Sequence, residues 1–122
     1  MISISEEFYT AICEGMGDYS DNVSTSYPSS EETLPWAIYE CENNVPEVTT
    51  SSGETKSNIR YRVEIVGTED IEPIAMNISD AIRQNIGMKR CFYKDANTDT
   101  YKKIIMRFEG IVDIATGAVY NA

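Results

Sequence analysis

Apolar and polar residues alternate with a period of two over residues 58–66. Ile59, Tyr61, Val63 and Ile65 fall on one side; Asn58, Arg60, Arg62 and Glu64 fall on the other. That is the pattern of a strand with one buried face. Residues 101–114 repeat it, with Ile104, Met106, Phe108, Val112 and Ile114 set against Lys103, Arg107, Glu109 and Asp113. Gly110 interrupts the apolar row and predicts a bulge or bend. Shorter strands are expected at about 22–27, closed by Pro28, at about 35–41 and at about 89–94. In the second of these, Trp36 and Ile38 form a bulky face expected to join the core. A turn at Thr116-Gly117 leads to a short last strand at 118–120.

Twice the period becomes helical. Ile4, Phe8, Ala11 and Ile12 share one face of a helix expected over about 3–15. Ser3 and Glu6 have capping-box spacing, and Gly15 and Gly17 are its expected stop. Ile71, Ile74, Ala75, Ile78, Ala81 (or Ile82) and Ile86 stripe a longer helix over about 69–86. Thr68 or Asp70 is its N-cap, Pro73 must lie in its first turn, and Gly87 suits its end. Val45 to Ser57, rich in Pro, Thr, Ser, Gly and Glu, reads as a long loop that is mobile in the free chain. The order is helix, strands, helix, strands. It predicts an α+β domain of 122 residues, a mainly antiparallel mixed sheet with an N-terminal helix and one long helix packed on it.

Charge sharpens this picture. No lysine or arginine precedes Lys56, whereas eleven acids do, so the net charge of −10 arises wholly in the first part of the chain. A segregated charge map favours head-to-tail contacts and repels polyanions. A pI near 4.3 argues against a nucleic-acid-binding surface.

Candidate chemistry is thin. The chain has no histidine, which removes the usual zinc sites and every His-based catalytic arrangement. Cys13, Cys41 and Cys91 are far apart and read as buried thiols of a reducing compartment. The acidic pairs Glu6/Glu7, Glu31/Glu32 and Asp95/Asp99 have no feature that makes them catalytic. Asp95, Asn97 and Asp99 begin like a calcium loop, but Thr100 and Met106 stand where Gly and Glu are needed, so a hairpin turn is expected. Met16, Met76, Met88 and Met106 read as core filler. No signal peptide, membrane span, phosphate-binding loop or cofactor motif is visible.

From Leu34 onward the chain carries Leu34-Pro35-Trp36-Ala37-Ile38-Tyr39, a polar stretch after it, Tyr61-Arg62-Val63-Glu64-Ile65 and Thr68-Glu69-Asp70. Next come the helix to Ile86, Gly87-Met88-Lys89-Arg90, Asp95 to Tyr101, and Lys103-Ile104-Ile105-Met106-Arg107-Phe108-Glu109-Gly110. In this order of pieces the chain resembles the tail terminator, or tail completion, proteins of long-tailed bacteriophages. The resemblance implies a structural virion protein without enzymatic activity or cofactor. Such a protein forms a hexameric ring at the head-proximal end of the tail tube. Its partners are copies of itself, the tail tube protein and the head-completion or connector protein, and DNA passes through without specific binding. On this reading Glu47, Glu54, Lys56, Arg60, Arg62, Lys103 and Arg107 are candidate subunit or tube contacts. Glu31, Glu32 and Glu42 are candidate acids lining the bore. Other head–tail neck proteins and, from a different class, an acidic DNA mimic are the competing readings.

Overall fold

The structure is a computed structural model that describes residues 5–26, 35–50, 53–113 and 119–120. Its elements follow the predicted order: α1 (Ser5–Met16), a 3-10 turn (Gly17–Tyr19), β1 (Val23–Ser24), β2 (Trp36–Thr50), β3 (Gly53–Gly67), α2 (Glu72–Asn85), β4 (Lys89–Asp95), β5 (Lys102–Asp113) and β6 (Val119–Tyr120). The strands form one six-stranded sheet in the order β1-β2-β3-β5-β4, with β6 also paired to β5. Only β1–β2 is parallel. This is the expected α+β architecture.

Both helices cover the same sheet face. Register places Ala37, Ile65 and Ile104 in one row of that face, Tyr39, Val63 and Met106 in the next, and Cys41, Tyr61 and Phe108 in the third. Phe8 of α1 stacks on Tyr61 with ring centroids 4.3 Å apart and meets Phe108 edge-on, arrangements worth about 0.5–1.5 kcal/mol beyond area burial. Ile12, Ala75, Ile78 and Ile82 complete the layer. Met16, Met88 and Met106 are buried in it, as expected.

Several expectations need correction. Gly15 does not stop α1 but lies inside it. A Cβ there would sit 2.5 Å from the Ile78 Cα, so the glycine exists to let α1 and α2 touch. Gly17, with φ 59, begins the 3-10 turn. The main helix starts at Glu72 rather than 69, with Pro73 in its first turn and the Asp70 carboxylate accepting the Glu72 N–H at 3.1 Å. It ends where Gly87 turns at φ 85. Gly110 makes no bulge in the β3–β5 ladder, because the register runs unbroken from Lys56↔Asp113 to Gly67↔Lys102. The strand expected at 22–27 is only Val23–Ser24 among the described residues.

The largest correction concerns residues 45–57. Of these, 45–50 and 53–57 are strand, not loop. β2 and β3 continue through them as an antiparallel hairpin paired to Thr50↔Gly53, with register shifts at Cys41/Asn43, Pro46/Val48 and Val48/Thr49. Val45, Val48, Thr49 and Thr50 are β-branched and favour strand. Those preferences, with a paired partner strand, outweigh the loop signals of Pro46 and Ser51-Ser52-Gly53. At about 3.3 Å per residue the seven residues Asn44–Thr50 carry the hairpin roughly 23 Å.

Candidate functional site

Three surfaces carry the chemistry of this molecule. The first is the sheet face opposite the helices. There Arg60 lies across from Glu109, Arg62 across from Arg107, and Glu64 across from Ile105. The period-2 pattern placed Arg60, Arg62, Lys103 and Arg107 on this shared face, and the structure brings them together. They do not form an open basic patch. Arg60 pairs with Glu109 at 3.2 Å, and Arg107 Nε with Glu42 at 2.9 Å. Arg62 reaches Glu64 at 3.1 Å and Glu40 at 3.7 Å, while Lys103 Nζ reaches Glu64 at 2.9 Å. Each cation meets an acid of its own chain, through neighbouring strands for Arg60 and Lys103, within β3 as well for Arg62, and across β3 for Arg107. Glu42, expected as a free bore acid, is spent on Arg107 in the same way.

Glu64 is the centre of this face. It is completely buried, flanked in register by Ile38 and Ile105. Its two oxygens meet the Arg62 guanidinium and the Lys103 ammonium. The alternating pattern gave Glu64 a wet position, and no sequence signal marked it as buried. Trp36 was expected in the core. It lies instead in the Val66–Lys103 row of this second face, half-buried, with its indole N–H donating to the Ser24 hydroxyl at 2.9 Å. β2 is apolar on both faces here, and Ala37 and Tyr39 take the helix side.

The second surface is the edge of β4, which among the described residues pairs only with β5. Lys89 and Lys94 fall in the rows of Glu109 and Ile105 on the ion-paired face; Arg90 falls in the Phe108 row on the helix side. All three are exposed. None makes an ion pair within 4.0 Å with a described residue, and Arg90 instead rests over the Tyr93 ring and near the Met76 sulfur. Phe92 is exposed beside them under the Arg107 guanidinium, 4.7 Å from centroid to Cζ. A charged edge with a register shift between Arg90 and Phe92 resists indiscriminate strand pairing.

The third surface is the outside of the helical layer. Glu6, Glu7, Glu14, Asp18, Asp21, Glu69, Asp70, Glu72 and Asp80 are all exposed there, and Arg83 is the one base of α1 and α2. Arg83 pairs within its own helix with Asp80 at 3.9 Å. A groove of about 520 Å³ runs between α1 and α2, lined by Glu6, Glu7, Thr10, Glu14, Asn85 and Ile86 among others. The Asn85 amide donates to the Glu14 carboxylate across it. The charge segregation read from the sequence thus takes a different form in space. It separates an acidic helical layer from a cationic strand edge, with an internally neutralised sheet face beside both.

Of the remaining predicted residues, Glu47, Glu54 and Lys56 lie on the β2–β3 hairpin by backbone position. Glu31 and Glu32 lie outside the described residues. The cysteines were expected to be buried, but Cys41 and Cys91 are exposed and Cys13 half-buried, all as free thiols. Desolvation raises the Cys91 thiol above its ordinary value, which disfavours the reactive thiolate. The 96–101 segment is a hairpin turn, with the Asn97 side chain accepting the Lys103 N–H at 2.9 Å. Among the described residues no three His, Cys, Asp or Glu side chains converge as metal ligands, and no helix is long and apolar enough to cross a membrane. Searches against known families and curated proteins return no matching family model and no matching protein.

Proposed function

We propose that this chain is a structural subunit of a bacteriophage tail, a terminator that assembles as a hexameric ring on the head-proximal end of the tail tube. The ring halts tube growth and presents a surface to the head-completion or connector protein, with DNA passing through its bore. The role is one of docking, without catalysis or cofactor, and its place is the virion. The observation that carries the reading is a sheet whose end strands β1 and β4 each pair on one side among the described residues, with a long β2–β3 hairpin running beyond the helix-covered core. Such a subunit offers two different patches to its neighbours, as a closed ring of identical copies requires. The element order and motifs from Leu34 onward support the same reading.

Acids of the helical layer outside the α1–α2 groove, where they face the bore, would repel phosphate, the reverse of the attraction that cationic surfaces exert on DNA. That layer also gives the competing DNA-mimic reading its one specific support. Electron microscopy of tails assembled with and without the chain separates them. A terminator leaves tubes of uncontrolled length in its absence; tails of unchanged length that still join heads would refute the proposal.

A further inference from the structure

The geometry points to a specific head-to-tail contact: the cationic edge of β4 in one copy docks into the acidic α1–α2 groove of the next. This rests on the ring reading above and names the two surfaces that would build the ring. Lys89, Arg90 and Lys94 flank the β4 edge on both faces and lack an acidic partner among the described residues. The groove is lined by Glu6, Glu7 and Glu14 and, among the described residues, by no cation. Arg60, Arg62, Lys103 and Arg107 are matched within the chain, and Arg83 is matched by Asp80. Among the described bases one more, Lys102 at the start of neighbouring β5, is also exposed and outside the ion pairs, so unmatched positive charge gathers mainly at the β4 edge on a molecule whose net charge is −10.

The two patches sit on different parts of the fold. β4 ends the sheet, whereas the groove lies on top of the helical layer. A contact between unlike patches is heterologous, and it closes into a ring or runs on as a filament. Two copies meeting through the same patch would set cation against cation or acid against acid, which costs affinity. The cationic edge also discourages backbone pairing of β4 with a second β4, so the groove is the occupant's natural seat. Contacts of this kind weaken as salt screens them.

A charge-swap experiment tests this. One variant, Lys89→Glu/Arg90→Glu/Lys94→Glu, has an acidic edge; a second, Glu6→Lys/Glu7→Lys/Glu14→Lys, has a basic groove. Circular dichroism checks that each folds, and sedimentation velocity at low ionic strength reads assembly. Each variant alone should self-associate roughly tenfold or more weakly than the parent chain. Mixed in equal amounts they should recover assembly, because each edge then faces an opposite groove. If both variants assemble alone as the parent does, or if both fail and mixing restores nothing, the docking is wrong while the ring reading stands. If the groove variant does not fold, the edge variant mixed with parent chain serves instead: the parent's edge enters the variant's intact groove, so the variant caps growing assemblies and shortens them. Unshortened parent assemblies would overturn the contact. A parent chain that never associates, alone or on tail tubes, overturns both.

Discussion

Replacing Glu64 with glutamine should destabilise the protein far more than its place in a row of polar residues suggests. The side chain is 1% exposed and holds Arg62 at 3.1 Å and Lys103 at 2.9 Å. At an effective dielectric constant of about 20, each such pair carries roughly 5 kcal/mol of gross attraction, most of it offset by desolvation. Glutamine keeps the volume and removes the charge, and it turns an amide donor toward at least one of two cations. Breaking a buried pair costs about 3–5 kcal/mol. Here Arg62 and Lys103 stay about a quarter exposed, and Arg62 keeps Glu40, so water and Glu40 recover part of the loss. We expect about 2 kcal/mol, or a fall in Tm of roughly 6–10 °C for a domain of this size.

The second variant in the series is Glu64→Met/Lys103→Met, which places apolar groups between Ile38 and Ile105. It should lie closer to the parent than Glu64→Gln does, since replacing an ion pair by packed apolar groups is often neutral. Urea denaturation at neutral pH measures both. A loss below about 0.5 kcal/mol for Glu64→Gln, the range of ordinary surface changes, would refute the claim that this carboxylate is buried and doubly paired.

Gly15→Ala should destabilise by about 1–3 kcal/mol in the same assay, because overpacking against the Ile78 backbone outweighs the gain in helix propensity; a stabilised variant would contradict the close helix contact. Replacing residues 46–54 by an Asn-Gly turn should change core stability by less than about 1 kcal/mol, since the core side chains among the described residues lie outside that segment, while on the proposed reading docking to tail tubes should be lost. Chemical denaturation and co-sedimentation with tubes read the two effects separately. Burial raises Tyr39 and Tyr61 above the ordinary 10.0. The unfolded chain therefore loses these protons first, so stability is level below about pH 10 and falls as pH rises from there toward the folded values. Tyr61→Phe should flatten that fall and, by removing the 2.8 Å hydrogen bond to Ser5, cost about 1 kcal/mol at neutral pH. Urea midpoints followed from neutral to alkaline pH, with no fall above the ordinary tyrosine value, would contradict it.

The strands β3 and β5 were legible because one face of each is buried and the other polar, so alternation survives in the sequence. The stripe of α2 was legible for the same reason at helical period. Residues 45–57 were not, because Pro46 and the Ser-Gly turn look like loop punctuation when the pairing partner is unseen. Trp36 misled because β2 is apolar on both sides, and alternation then cannot say which side the helices cover. The ion pair of Arg60 with Glu109 follows from register once β3 and β5 are taken as neighbours; that of Arg107 with Glu42 does not, because Glu42 sits beyond β3 at a register shift in β2. The burial of Glu64 did not, since a charged residue in a polar row carries no mark of its depth. The unmatched cations of β4 were visible as residues, but their importance emerges only after Arg60, Arg62, Arg83, Lys103 and Arg107 are seen to be paired.

Native mass spectrometry of the chain, alone at low ionic strength and after release from tail tubes, bears most directly on the idea of a self-docking ring. The account predicts a closed hexamer under at least one of these conditions, dissolving as salt rises. A species that stays a single copy throughout, and leaves no trace on tubes, would contradict it.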